Sequence, residues 1–217
     1  QACLEEPATM LPSRPILLGN RMTHQPTFRP ATLADAATLS VLMDIAGEGA
    51  PNWLWLKMAG PGHSALEVGR DRARREEGGF SYRHTTVAQI GDEIAACLVG
   101  YPLDDPYDLS GLGDMPEPFR PLVRLEAQAP GTWYVNVIAA FAEFRGQGIG
   151  ARLLNIAETR AVELGTPATS IIVGSWNTGA ERLYARCGYQ AVAREPAILP
   201  PAFSQSGDWI LMVRPLR

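Results

Sequence analysis

Apolar residues recur along this chain with two periods, and the switches between them mark the elements. Thr27-Phe28-Arg29-Pro30 predicts a short strand, and Thr32 to Asp35 has the form of a capped helix start. The helix runs through Leu39, Leu42, Met43 and Ala46, which share one face. Gly47-Glu48-Gly49 ends it, with Pro51 marking the break. Ser64 and Glu67 form a second capping box, opening a helix whose Arg70, Arg72, Arg74 and Arg75 read as a solvated charged face. Phe80–Ile90 and Glu93–Tyr101 are rich in strand formers, and Gly91-Asp92 between them suits a two-residue hairpin turn.

Prolines at 102, 106, 116, 118 and 121 make the next stretch a long loop, of the kind that often carries function, before a helix from about Phe119 to Ala127. Trp133–Ala140 predicts a central buried strand. Ile149, Leu153, Ala157 and Ala161 then fall at four-residue spacing on a helix that starts at Gly148 and ends at Gly165. Ser170–Val173 is a short buried strand, and Ala180, Leu183, Tyr184 and Cys187 line one face of the following helix. Ala191–Arg194 and Trp209–Val213 read as a closing antiparallel pair. The order predicts an α/β chain of the α+β kind: a mostly antiparallel, twisted mixed sheet of about six to seven strands with helices on both faces, neither doubly wound nor a barrel. Residues 1–26 read as an N-terminal extension, with Met22 as an internal start, and 27–217 as one domain.

Composition narrows the function classes. With 217 residues and 46% hydrophobic content the chain can bury a sizeable core, and a net charge of −4 gives no general attraction to nucleic acid or an anionic membrane. No apolar run approaches the roughly 20 residues that cross a bilayer. Cys3, Cys97 and Cys187 are scattered, odd in number and form no Cys/His cluster, so neither a metal site nor a disulfide framework is expected. A soluble, cytoplasmic protein is the expectation that follows.

The chemistry concentrates at Arg145-Gly146-Gln147-Gly148-Ile149-Gly150. A glycine-rich turn between a buried strand and a helix N-terminus exposes unpaired N–H groups at the positive end of a helix dipole, and so favours phosphate. Gly146 to Ala151 also satisfies the dinucleotide pattern G-x-G-x-x-G/A. That pattern needs an acid about 20 residues later, where this chain has Val173-Gly174-Ser175, and too little chain follows for a long strand-helix series. A nucleoside triphosphatase is weaker still, because Gly-Lys-Ser/Thr is missing.

Arg145 to Gly150 resembles the Gln/Arg-x-x-Gly-x-Gly/Ala signature of the GNAT acetyltransferase superfamily. Asn177, Ala180, Leu183, Tyr184, Gly188 and Tyr189 follow in register with that family's Asn-x-x-Ala-x-x-Leu-Tyr-x-x-x-Gly-Phe/Tyr segment. The resemblance implies a GNAT-like fold and acetyl-CoA as cosubstrate, with no metal. It assigns the pyrophosphate to the amides of Arg145, Gly146, Gln147, Gly148, Gly150 and Ala151, and the pantetheine arm and thioester carbonyl to the backbone of Ile138 and Ala140. Asn177 would hydrogen-bond the cosubstrate near the gap between the central strands, and Tyr184 would be the general acid. One departure is Ala142, where the family often has proline.

Acyl transfer also needs a base, and the sequence singles none out: Glu48, Glu126 and His84 read equally as surface or strand residues, Asn136 stands where some relatives carry an acid, and a water-relayed path would need none of them. For the acceptor, Trp53, Trp55 and Met58, in the segment between the first two helices, are expected to wall the cleft, with Glu48 and Glu126 as further candidates. The expected acceptor is a small-molecule or amino-acid-like primary amine. A peptide N-terminus, or a sensor that binds acetyl-CoA without turnover, is the competing reading. Relatives of this type are often homodimers.

Overall fold

The hairpin expected at Gly91-Asp92 is present: strands β2 (Thr85–Ile90) and β3 (Glu93–Pro102) pair antiparallel across it, with Gly91 at φ 60° in the turn. In this computed structural model residues 25–200 and 203–216 are described. The extension read over residues 1–26, Met22 and Cys3 therefore fall outside the described residues, save positions 25 and 26.

On one side of the hairpin lies β1 (Thr27–Pro30), on the other β4 (Trp133–Ala140), β5 (Ala168–Gly174), β7 (Asp208–Pro215) and β6 (Gln190–Pro196). The order β1-β2-β3-β4-β5-β7-β6 gives seven strands in an open sheet, in which only β4 and β5 run parallel. The last two strands pair antiparallel, as their alternation predicts.

Helices cover both faces. α1 (Ala36–Ala46), α2 (Ala50–Met58) and α3 (Ala65–Ala73) pack Leu39, Leu42, Met43 and Trp55 against Val87, Val99, Val137 and Ala139. α5 (Ile149–Glu163) buries Leu153, Leu154, Ala157 and Ala161 on the opposite face, against Leu98, Val135, Ile171 and Ile210. α4 (Arg120–Glu126) sets Leu125 on Leu211 of β7, and α6 (Thr178–Arg186) follows β5. The capping predicted at Ser64 is present: Glu67 accepts from the Ser64 amide at 2.7 Å while Ser64 Oγ accepts from the Glu67 amide at 3.2 Å. At the first helix the Asp35 carboxylate accepts from the Thr32 amide and from both terminal nitrogens of Arg29, at 2.7, 2.8 and 3.0 Å. Among the described residues no helix is long and apolar enough to cross a membrane.

Three local expectations change. The segment carrying Trp53 and Trp55 is helix α2, because Pro51 stands in its first turn, where a missing N–H costs nothing and a fixed φ starts the helix. The strand expected from Phe80 begins at Thr85, since Ser81 Oγ accepts from the Arg83 amide and caps a tight 3-10 turn over Tyr82–His84. His84 accordingly sits in that turn, its ring 5.5 Å from Tyr101.

Candidate active site

The central strands part. β4 and β5 pair only through Trp133–Thr169, Tyr134–Ser170 and Val135–Ile171, so beyond Val135 one edge of each strand is left without its neighbour. A cleft of about 1040 Å³ opens there, lined by the end of β4, the Arg145–Ala151 turn, the start of α5 and the inner face of α6.

The glycine turn is built as its sequence implies. Gly146 and Gly148 have φ of 75° and 76°, the left-handed region that disfavours a side chain, and nothing lies within 4 Å of where a Cβ would stand on either. The space before them is open to an anion. Gly148 is the N-cap of α5, so the first amides of that helix have no carbonyl partners within it. Gly150 has a different reason to be glycine: a Cβ would stand 2.9 Å from Leu183 Cδ2, so it sets how closely α5 and α6 approach. The Arg145 side chain folds back, its Nε donating to the Ala140 carbonyl at 3.0 Å, and Gln147 Nε2 donates to the Glu143 carbonyl at 3.1 Å.

On β4 the register decides which amides face the gap. Val99 pairs with Val137 but Gly100 pairs with Val135, so Asn136 is an extra residue, a β-bulge. The Phe141 amide bonds to Ala95 on β3, and strand amides alternate in direction, so those of Ile138 and Ala140 point into the gap. The bulge also turns Asn136 and Val137 to the same side. Val137 and Ala139 therefore pack under α1–α3, while Ile138 and Ala140 pack toward α5.

Asn177 caps α6, its Oδ1 accepting from the Ala180 amide at 3.1 Å, while its Nδ2 donates to Glu48 Oε1 at 2.8 Å. Glu48 Oε2 accepts from Trp176 Nε1. Glu48 thus ties the α1–α2 turn to the start of α6 across the mouth of the cleft. Tyr184 is buried, yet it lines this cleft, and its hydroxyl makes no hydrogen bond among the described residues. Burial, then Tyr189 and Glu48, push its phenol well above the usual range, so it stays protonated at neutral pH.

A second cleft of about 470 Å³ lies on the α1–α3 face, closed by the loop after Pro102 and by Ile198–Pro200. Ala46, Ile172 and Trp209 line both clefts, so the two meet where β4 and β5 separate. Glu126 enters the second cleft from α4. Tyr107 donates to its Oε2 at 2.5 Å, and burial raises its carboxyl above the ordinary range against the opposing hydrogen bonds of Tyr107 and Tyr134.

The family model described as the acetyltransferase (GNAT) family matches residues 52–189. The chain belongs to the GNAT acetyltransferases. It is accordingly an enzyme, an acyltransferase. Solved structures share its fold at low identity. One is an acetyltransferase, 20% identical, with a TM-score of 0.63, matched over 88% of this chain and 100% of that one. Another is an N-acetyltransferase from Staphylococcus aureus Mu50, 18% identical, with a TM-score of 0.62, over 86% and 99%. A third is yncA from Salmonella typhimurium with its cofactor acetyl-CoA, 16% identical, with a TM-score of 0.55, over 89% and 95%. Comparison with curated proteins finds no significant match.

In this GNAT acetyltransferase the first cleft gathers Ile138, Ala140, Arg145, Gly146, Gly148, Gly150, Ala151, Asn177, Tyr184 and Glu48. Gln147 stands beside it on the exposed turn. Glu126 belongs to the second cleft alone. The expected aromatic wall is corrected. Trp55 is fully buried, its ring packed edge-on to Phe80 and so close over Gly69 that a Cβ there would meet it at 2.4 Å. Trp53 carries the Lys57 ammonium 3.7 Å above its ring, on the outer side of α2, and neither tryptophan lines a cleft. Two cleft residues, Tyr107 and Arg72, are not legible as such in the sequence, nor is Trp176, which donates to Glu48 at the mouth of the first cleft. Arg72 was placed on a solvated face, yet it turns inward; the adjacent small residues Gly69 and Ala73, both buried, were the legible sign that this side of α3 faces the sheet.

Proposed function

We propose that the protein transfers the acetyl group of acetyl-CoA to a primary amine of a small molecule. The observation that carries this reading is the meeting of two clefts at the parted strands, one shaped for the donor and one for an acceptor. In the first, the free amides from Gly146 to Ala151 hold the pyrophosphate and Arg145 adds positive charge at the edge. The gap-facing amides of Ile138 and Ala140 pair with the pantetheine arm, and that of Ile138 polarises the thioester carbonyl. That the yncA structure contains acetyl-CoA in the same fold supports the assignment. The side chain of Asn177 is already committed to the Ala180 amide and Glu48, so its role is to position Glu48 and the cleft mouth.

The reaction needs one proton given and one taken. The amine nitrogen bonds to the acetyl carbon and the carbon–sulfur bond breaks. Tyr184 donates its phenolic proton to the departing sulfur, and Glu126 receives the proton the amine loses, directly or through water. The environments suit these parts: burial keeps Tyr184 protonated and makes Glu126 a stronger base than an exposed carboxylate. A cleft of about 470 Å³ fits a small ligand better than an extended peptide.

Thiol release from acetyl-CoA with a panel of small primary amines and one tripeptide tests the reading, beside melting curves with acetyl-CoA and with nicotinamide dinucleotides. Stabilisation by acetyl-CoA and release with small amines is the expected result. Release with the peptide alone, binding with no turnover on any amine, or stabilisation only by the dinucleotides would each overturn it.

A further inference from the structure

We propose that the acceptor is an amine that carries a carboxylate, and that Arg72 binds that carboxylate; this rests on the second cleft being the acceptor side. Arg72 lies on α3 and lines the cleft, half-buried, with its Nε sealed from solvent. Among the described residues that Nε has no hydrogen-bond partner, and no carboxylate lies within ion-pair distance of the guanidinium. Its Cζ stands 5.7 Å from the centroid of the Phe80 ring. A guanidinium stays charged even where burial disfavours the charge, so an enclosed one without a counter-ion is an unfavourable arrangement that an anionic ligand relieves.

A second free donor, Tyr101, lines the same cleft, and its hydroxyl reaches Gly79, next to Phe80, so closely that a Cβ on Gly79 would meet it at 2.8 Å. No hydrogen bond from that hydroxyl is made among the described residues, whereas Tyr107 is engaged with Glu126 and Asn136 Nδ2 with the Gly79 carbonyl at 2.7 Å. Glycine at 79 thus admits the phenol, and the free donors Arg72 and Tyr101 flank one short segment.

Opposite charges complete the pattern. Arg72 from α3 and Glu126 from α4 line one cleft without pairing with each other. A plain amine answers Glu126 and leaves Arg72 bare, whereas an amino acid answers both. Its amino group, neutral when it attacks, passes the proton it then loses to Glu126, and its carboxylate takes the forked donors of Arg72 with the Tyr101 hydroxyl. The remaining wall, Leu54, Met115, Phe119 and Leu122, is apolar and suits an apolar side chain.

The test compares phenylalanine, leucine and methionine with their decarboxylated amines and their carboxamides, under saturating acetyl-CoA. The wild-type protein is expected to favour each acid over its amine by at least about 30-fold in kcat/KM. In Arg72→Gln that ratio falls to within about threefold, with Arg72→Lys recovering part of it. Acetyl-CoA is expected to raise the melting temperature of both variants as in wild type, which shows that they fold. Equal use of acids, amines and amides by the wild type, or an Arg72→Gln variant that keeps the full ratio, overturns the inference while leaving the acetyltransferase reading intact. Should no amine release thiol, that reading fails instead, and Arg72 is judged by binding. Melting-temperature gain with phenylalanine but not phenethylamine, lost in Arg72→Gln, upholds it, and no gain with any of the acids overturns it.

Discussion

Glu48 and Asn177 are joined by a 2.8 Å hydrogen bond, although they lie 129 positions apart in sequence. The same carboxylate accepts from the Trp176 indole, so one side chain from the α1–α2 turn holds the entry of α6 on the far side of the parted strands. Glu48 does this from φ 53°, a left-handed backbone that costs a side-chain-bearing residue about 1–2 kcal/mol. The bridge offsets that strain and fixes the junction where donor and acceptor meet.

Replacing Glu48 by alanine leaves two half-buried donors without their acceptor, a loss of about 1–3 kcal/mol. At about 2–4 °C per kcal/mol for a domain of this size, a fall of several degrees in melting temperature is expected. KM for acetyl-CoA should rise, because Glu48 and Asn177 line the first cleft. Glu48→Gly, which relieves the backbone strain, should lose less stability than Glu48→Ala with the same rise in KM. Melting curves and initial rates check this; unchanged melting temperatures would mean that the bridge contributes nothing.

Tyr184→Phe removes one oxygen from a buried ring and keeps its packing against Tyr189, whose centroid is 6.2 Å away. The variant should lose about 100-fold or more in turnover, the usual worth of a positioned proton donor, with little change in KM for acetyl-CoA. Equal turnover in both proteins would remove Tyr184 from the reaction.

The two kinds of glycine in the turn should separate under substitution. Gly148→Ala meets no neighbouring atom but is forced into φ 76°, costing about 1–2 kcal/mol and adding a methyl where the anion is proposed to sit. Gly150→Ala must move Leu183, the flexible end of a side chain on α6, and so should alter the spacing of α5 and α6 with a smaller strain term. Titration calorimetry with acetyl-CoA is expected to show the greater loss of affinity for Gly148→Ala. The reverse order would place the pyrophosphate elsewhere.

What was legible in the sequence is local, and what was not is either long-range or a matter of one residue. The Ser64/Glu67 box, the Gly91 turn and the face of α5 depend on neighbours within a few positions, and all appear where their chemistry puts them. The break before Pro51 is legible and present, but the helix that Pro51 starts is not, because proline both stops a helix and starts one and only the next turn decides. The bulge at Asn136 leaves no mark in a strand that is apolar on both faces, yet it turns every later side chain of β4 to the other face. Arg72 hides in a charged run because its three arginine neighbours, Arg70, Arg74 and Arg75, do face water. Nothing local in Glu48 announces a partner beyond position 170.

The last prediction concerns Glu126, whose carboxyl burial lifts above the ordinary value. If this group takes the amine's proton, the acid limb of kcat/KM should lie above the range of an exposed carboxylate, about 4.3, and disappear in Glu126→Gln together with most of the activity. Stability should move the other way. A carboxyl whose folded value is raised contributes stability that is fully present below its unfolded value and is lost as pH rises through the folded value. Glutamine, which never ionises, escapes that loss. The melting temperature of Glu126→Gln minus that of wild type should therefore grow more positive from about pH 4 to pH 8, because only the wild type must bury a charge in the upper part of that range. A variant that is firmer at pH 8 and nearly inactive there would mark Glu126 as a group held at a cost to the fold for its chemistry. A difference in melting temperature that stays flat with pH, or an acid limb at the position of an exposed carboxylate, would return the role of base to another residue.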